Sequence, residues 1–215
     1  MSAAPALLEP VPDAADFAAR IGASAGQMAD LERFQAMLSD WNQRMNLVSA
    51  GSLAEFWPRH ALDSAQLLQI APGARTWVDI GAGAGFPGLV LAIRLKGEAG
   101  AKVHLVESVA KKCRFLEAVS DALTLPTQVH NDRAENLALK ADVVTARAVA
   151  PLGRLLGFAR PYLAKGAIGL FPKGRGAEAE IADARAAWRF TCNAIPSLSD
   201  PDGRILKVEG LTRAR

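Results

Sequence analysis

The chain has 215 residues, enough for one domain with a sizeable core or one domain and a small extension. Half of it is hydrophobic (50%), 22% is charged and the formal net charge is +3, an ordinary globular composition that permits an RNA partner without demanding one. Cys113 and Cys192 are too few for a disulfide framework or a zinc site, the first residues lack the pattern of a signal peptide, and no apolar run reaches the ~20 residues of a membrane span; a soluble, cytoplasmic protein without a metal is expected.

The first ten or so residues, rich in Ala and Pro, read as a loose tail. Ser24 then opens a helix: Gln27 is its capping-box partner, and Met28, Leu31, Phe34, Leu38, Trp41 and Met45 recur at helical spacing. A second helical stretch is expected over Leu53 to Ile70, interrupted near Pro58, and Pro72-Gly73 ends it. Residues 1–72 are thus read as a helical extension and 73–215 as the main domain.

Beyond Pro72 strands and helices alternate. Strands are expected at Trp77–Ile80, Val103–Val106, around Val129, at Val143–Ala146 and at Ile168–Phe171. Helices are expected at Gly88–Leu95, Ala110–Leu123, Leu152–Leu163 and Ala177–Trp188. Two late strands, Phe190–Ile195 and Arg204–Val208, form a hairpin about Asp202-Gly203. The reading is an α/β, Rossmann-like fold: seven strands, mostly parallel, with helices on both faces and right-handed crossovers. A seven-strand sheet ending in an antiparallel hairpin is the class I methyltransferase arrangement rather than the six-strand dehydrogenase one.

The segment TWVDIGAGAGFPG carries the most chemistry. Gly81, Gly83 and Gly85 follow a buried strand and open a helix, so a ligand can approach the main chain and the helix amides. Read from Gly83, the loop is also the dinucleotide fingerprint G-x-G-x-x-G through Gly85 and Gly88. Asp79 at the strand end would repel a pyrophosphate but favours the ammonium and sulfonium of S-adenosylmethionine. Glu107, ending the second strand, can accept hydrogen bonds from both ribose hydroxyls of an adenosine, and Asp132 to Glu135 occupy the place where such enzymes hold the adenine.

The methyl acceptor is narrowed by absences. After the fourth strand the chain reads TARAVAPL, without the Asn/Asp-Pro-Pro-aromatic tetrapeptide of exocyclic amine methylation, and neither cysteine lies there to attack a cytosine carbon. A ring nitrogen such as guanine N7 has an in-plane lone pair and no proton to lose, so its methylation needs alignment and little acid–base help.

Taken together, WNQRMNLVS at 41–49, RHALDS at 59–64, VDIGAGAGFPG at 78–88, ESVAKKCRFL at 107–116, RAENL at 133–137, ARAVAPL at 146–152, Lys173-Gly174 and DPDGRILKVE at 200–209 closely resemble the bacterial 16S rRNA guanine-N7 methyltransferase G family, also called glucose-inhibited division protein B, over nearly the whole chain. The resemblance implies S-adenosylmethionine as donor, with S-adenosylhomocysteine released, and the 16S rRNA of the small ribosomal subunit as acceptor at the guanine-527 position of the 530 loop. It places donor contacts at Gly81, Phe86, Ala134, Glu135 and Arg147, with Glu107 at the ribose position. The departures are an Ala-rich start and ARA at 146–148 where many members have SRA.

Arg147 and Lys173 follow the fourth and fifth strands, at the edge where open sheets hold ligands, and are expected to face the RNA or position the base. Lys111, Lys112, Arg114, Arg154, Arg160 and Arg175 are candidate phosphate contacts or plain surface charges. His60 and Asp63, one turn apart, either fasten the extension to the main domain or reach the target base. No residue is identified as a certain acid or base, and a monomer is expected. A nicotinamide oxidoreductase, a small-molecule methyltransferase and an rRNA-binding factor without activity are the rival readings.

Overall fold

The structure, a computed structural model, describes residues 13–214; the loose tail read from the first ten residues lies outside them. Helix α1 (Ala14–Ile21) was not expected from the sequence. Asp13 caps it by accepting from the amides of Ala15 and Asp16, and Gly22 ends it with φ +64°. Its one buried side chain, Phe17, gives too weak a periodicity to be read among alanines.

Helix α2 (Ala25–Asn42) has the reciprocal Ser24–Gln27 capping box. It buries Leu31, Phe34 and Leu38 and stops short of Met45, which the spacing had included. The reason is Asn42, whose side-chain oxygen accepts from the amides of Leu47 and Val48 and so diverts the chain into a tight loop. The expected second helical stretch is four short pieces: α3 (Ala50–Ala54), a wider π-helical turn at 56–61 that accommodates Pro58, α4 (Leu62–Ala65) and α5 (Leu67–Ile70).

The remainder alternates as expected: β1 (Thr76–Ile80), α6 (Gly88–Leu95), β2 (Lys102–Val106), α7 (Ala110–Leu123), β3 (Thr127–His130), β4 (Val143–Thr145), α8 (Leu152–Leu163), β5 (Ile168–Lys173), α9 (Ala177–Ala184), β6 (Trp188–Pro196) and β7 (Arg204–Arg213). The sheet runs β3-β2-β1-β4-β5-β7-β6; β1 to β5 are parallel, and β7 lies antiparallel between β5 and β6. One boundary differs materially: α9 ends at Ala184, and Trp188 begins β6 instead of closing the helix. Its indole N–H donates to the Gly153 carbonyl of α8 at 2.8 Å and the Arg213 guanidinium of β7 covers its ring, both long-range contacts that helical spacing cannot foretell.

Inward side chains alternate along the strands onto two faces. Trp77, Leu105 and Val143 face α6, α7 and the N-terminal helices, while Val78, Val106 and Val144 face α8 and α9. The N-terminal helices share the first core. Phe34 lies 5.3 Å from Phe86 and 6.4 Å from Phe115 between ring centroids, so residues on both sides of the 72/73 boundary share this first core. Each fully buried phenylalanine contributes roughly 1.5–3 kcal/mol, so this shared packing holds the extension over the sheet's carboxyl edge.

Candidate active site

A cavity of about 1060 Å³ opens at that edge. The glycine loop and Arg147 form its floor, residues 47–63 one wall, and the ends of β5 and of the β6–β7 connection the other. Its position at the carboxyl ends of parallel strands is where the topology leaves room for a ligand.

The floor is set by backbone. The amides of Gly81 and Ala82 both donate to the Val106 carbonyl, at 2.8 and 3.0 Å, which turns the chain sharply out of β1. Gly81 has φ +70°, and a Cβ there would stand 2.6 Å from Cγ2 of Val149. Gly88, at the start of α6, admits no side chain because Asp79 Oδ2 would lie 2.7 Å from it.

Asp79 is completely buried beneath this loop and does not line the cavity. That revises the expectation of a carboxylate standing directly against the ligand. Oδ2 accepts from the Gly88 amide at 2.9 Å, and Oδ1 has no hydrogen-bond partner among the described residues. Burial raises its pKa to about 7, against the lowering effects of the Gly88 bond and of Arg147. The ligand-free fold therefore holds more protons than the unfolded chain between about pH 4 and 7, and Asp79 costs stability as pH rises through that window. A cationic ligand would reverse this, so donor affinity should strengthen from pH 6 to 8 as Asp79 ionises. Asp79→Asn should flatten that dependence and bind about tenfold more weakly at pH 8; an unchanged slope by calorimetry would remove Asp79 from the site.

Glu107 is also buried, its Oε2 accepting from the Gly83 amide at 3.0 Å and its Oε1 from the Val109 amide at 2.8 Å. Ala134 sits in a single 3-10 turn, its carbonyl bound by the Tyr162 hydroxyl at 2.8 Å, with Glu135 exposed beside it. Glu107, Ala134 and Glu135 lie outside the cavity lining, whereas Gly81, Gly83, Phe86 and Arg147 belong to it.

His60 and Asp63, one turn apart, both converge on Arg147. His60 Nδ1 accepts from the guanidinium at 2.9 Å, its Nε2 meets Ser52 Oγ at 2.5 Å, and its ring stacks on Phe86 at 4.6 Å. Asp63 Oδ2 is 3.5 Å from the guanidinium, and Oδ1 accepts from the Ser199 hydroxyl at 2.9 Å. Burial, then the neighbouring Arg147 charge, lowers the His60 pKa to about 4, so the ring is neutral at physiological pH and both nitrogens are engaged. Burial raises the Asp63 pKa while Arg147 opposes it, and burial lowers that of Arg147. Ser52 and Ser199 carried no signal in the sequence, since only the fold brings them to residues 8 and 136 positions away.

The profile of the rRNA small subunit methyltransferase G family matches residues 27–204. The chain belongs to this family. Its relatives include the ribosomal RNA small subunit methyltransferase G of Caulobacter vibrioides strain NA1000 / CB15N, 59% identical over 207 residues and covering 96% of each chain. The Parvibaculum lavamentivorans protein of the same name is 47% identical over 94% of this chain and 91% of its own. Among solved structures, the fold is similar to an O-methyltransferase from Bacillus cereus in complex with SAH (TM-score 0.56, 17% identity, 85% and 91% coverage). It is also similar to a SAM-dependent methyltransferase from Aquifex aeolicus (TM-score 0.55, 14% identity, 73% and 93% coverage). The oxidoreductase reading of the second glycine register is thereby set aside.

For this methyltransferase, the expected RNA-facing cations separate. Lys111 and Arg114 are exposed in the first turns of α7, and Lys112 lines the cavity. Arg154 is exposed at the start of α8 with its guanidinium 5.5 Å from the Phe158 ring centre, and Arg175 is exposed and paired with Asp202. Arg160 belongs to the last turn of α8, away from the cavity end. Lys173 departs most from expectation. Its side chain is only 12% exposed and its ammonium is consumed within the protein, 2.7 Å from both Glu180 Oε2 and the Ala150 carbonyl.

Proposed function

We propose that this S-adenosylmethionine-dependent methyltransferase acts on the small-subunit 16S rRNA at N7 of a single guanine, the guanine-527 position. The observation that carries the reading is the side-chain-free turn at Gly81, facing the half-buried Arg147 and the Phe86 ring across one cavity. The residues fit the donor. Gly81 leaves room at the main chain, and the unpartnered, buried Oδ1 of Asp79 sits under the loop awaiting positive charge. In this reading Arg147 holds the donor's carboxylate, Glu107 its ribose, and Ala134 and Glu135 its adenine, while Phe86 packs against it. When bound, the donor supplies an electrophilic methyl group on sulfur.

The chain's own residues then align rather than move protons. Guanine N7 carries no proton, and His60, neutral and bonded through both nitrogens, suits a positioning role. Lys111, Lys112, Arg114, Arg154 and Arg175 are proposed to meet rRNA phosphates, so acceptor binding should weaken with salt. Residues 1–72 act as an extension of the 73–215 catalytic domain. The enzyme works as a cytoplasmic monomer, a reading supported by the described surface, where Val109 and Val149 are the exposed large apolar residues. No helix among the described residues is long and apolar enough to cross a membrane.

The test is transfer of labelled methyl to small subunits lacking the modification, with the nucleotide mapped by reverse transcription. Label at one guanine N7 supports the reading. Label elsewhere refutes the position, RNA binding without transfer refutes the enzyme, and salt-insensitive transfer to small molecules refutes the acceptor.

A further inference from the structure

Lys173 and Glu180 are spent on one short segment. Glu180 Oε2 accepts from the Leu152 amide at 2.7 Å and from the Lys173 ammonium at 2.7 Å; the same ammonium donates to the Ala150 carbonyl at 2.7 Å. The two side chains thus hold the segment after β4 at Ala150 and Leu152, just beyond Val149. Within it, Ala148 has φ +55°, a left-handed conformation that an alanine does not choose unaided. The consequence falls on Val149. Its side chain lies over Gly81, in the space a Cβ there would take, yet remains 36% exposed toward the cavity. With Ala150, Pro151 and Pro172 it makes an apolar patch in a cavity whose other walls carry Arg59, Asp63, Lys112 and Asp200.

We propose that Lys173 and Glu180 are positioning residues that clamp the 147–152 segment, so that Val149 offers an apolar seat to the target base beside the donor loop. A flat purine methylated at a ring nitrogen needs a surface that fixes its plane without placing a cation against the ring that becomes charged. The ammonium of Lys173, turned inward onto Glu180, meets that requirement. This rests on the methyl-transfer reading above. Loss of that reading would show in the parent enzyme, which would neither bind donor nor methylate, whereas the clamp is judged only against an active parent.

Lys173→Met, with heat denaturation to check folding, should lower kcat about thirtyfold while the donor Kd moves less than threefold. The slope of log KM for small subunits against log salt should stay as in the parent; a fall of about one would mark Lys173 as a phosphate contact and overturn the clamp. Ala148→Gly in the Lys173→Met background should recover about tenfold in kcat, because glycine adopts φ +55° without being held. A double variant no better than Lys173→Met alone would also overturn it. Should Lys173→Met not fold, Glu180→Gln weakens the same grip and should respond to Ala148→Gly in the same way. Val149→Thr, which keeps the shape and adds a hydroxyl, should lose about tenfold in kcat/KM for the acceptor with unchanged donor Kd; unaltered kcat/KM would remove Val149 from the seat.

Discussion

Gly81→Asp should give a folded protein that no longer binds S-adenosylmethionine measurably, an affinity loss of at least about a hundredfold. The backbone at 81 has φ +70°, and aspartate is among the residues that tolerate the left-handed region, at roughly 1–2 kcal/mol. Among the described residues, the only side chain within 3 Å of the new Cβ is that of Val149, which is partly exposed and able to turn away. For a chain of this size such a cost lowers Tm by about 2–8 °C. Binding suffers far more, since a carboxylate then occupies the donor's approach to the main chain. Gly166→Asp is the matched control: φ is +94°, nothing among the described residues stands within 4 Å of its Cβ, and it precedes β5 at the opposite end of the sheet. The control should share the stability loss and keep donor affinity. Equal affinities for the two variants by calorimetry would disprove the loop assignment.

Arg147→Met should lower donor affinity by roughly 10- to 150-fold, the worth of a charge-assisted hydrogen bond of about 1.5–3 kcal/mol. It should also destabilise the fold by roughly 3–5 kcal/mol, because Asp63, 14% exposed in its side chain, loses its counter-charge. The two effects separate in Arg147→Met with Asp63→Asn, which removes the stranded charge: stability returns, donor affinity does not. In the single variant the stability deficit should shrink from pH 8 to pH 5, since burial already raises the Asp63 pKa and without Arg147 the carboxyl takes up a proton readily. Urea unfolding across that range, with donor titrations on both variants, checks each half. Recovery of both properties in the double variant would mean that Arg147 matters only to the fold. Arg147→Lys should not substitute, because Nη1 of the guanidinium already serves both His60 and Asp63, and a single ammonium lacks the further N–H groups of the planar fork.

What was legible in the sequence was what the backbone must do. The alternation of strands and helices, the glycines at 81 to 85 and the acids at 79 and 107 mark the sheet's carboxyl edge, because turns and strand ends leave local traces. The orientation of Asp79 was not legible: only the packing of Gly88 against it shows that the carboxylate lies under the loop. Lys173 could be placed at a strand end, but its partner Glu180 sits on the next helix, and nothing in residue type says whether a lysine turns outward to phosphate or inward to a carboxylate. The convergence of His60 and Asp63 on Arg147, with Ser52 and Ser199 bonded behind them, required the extension and the β6–β7 connection to meet over one cavity. Helix α1 and the start of β6 at Trp188 escaped because one buried anchor, or one aromatic at helical spacing, is compatible with either local structure.

The most direct measurement is a crystal structure of the full chain with S-adenosylhomocysteine. The product should lie along the glycine loop with its carboxylate at Arg147, its ribose hydroxyls at Glu107 and its adenine at Ala134 and Glu135. Density for the nucleoside in any other part of the molecule, with the Gly81–Arg147 cavity holding only water, would contradict it.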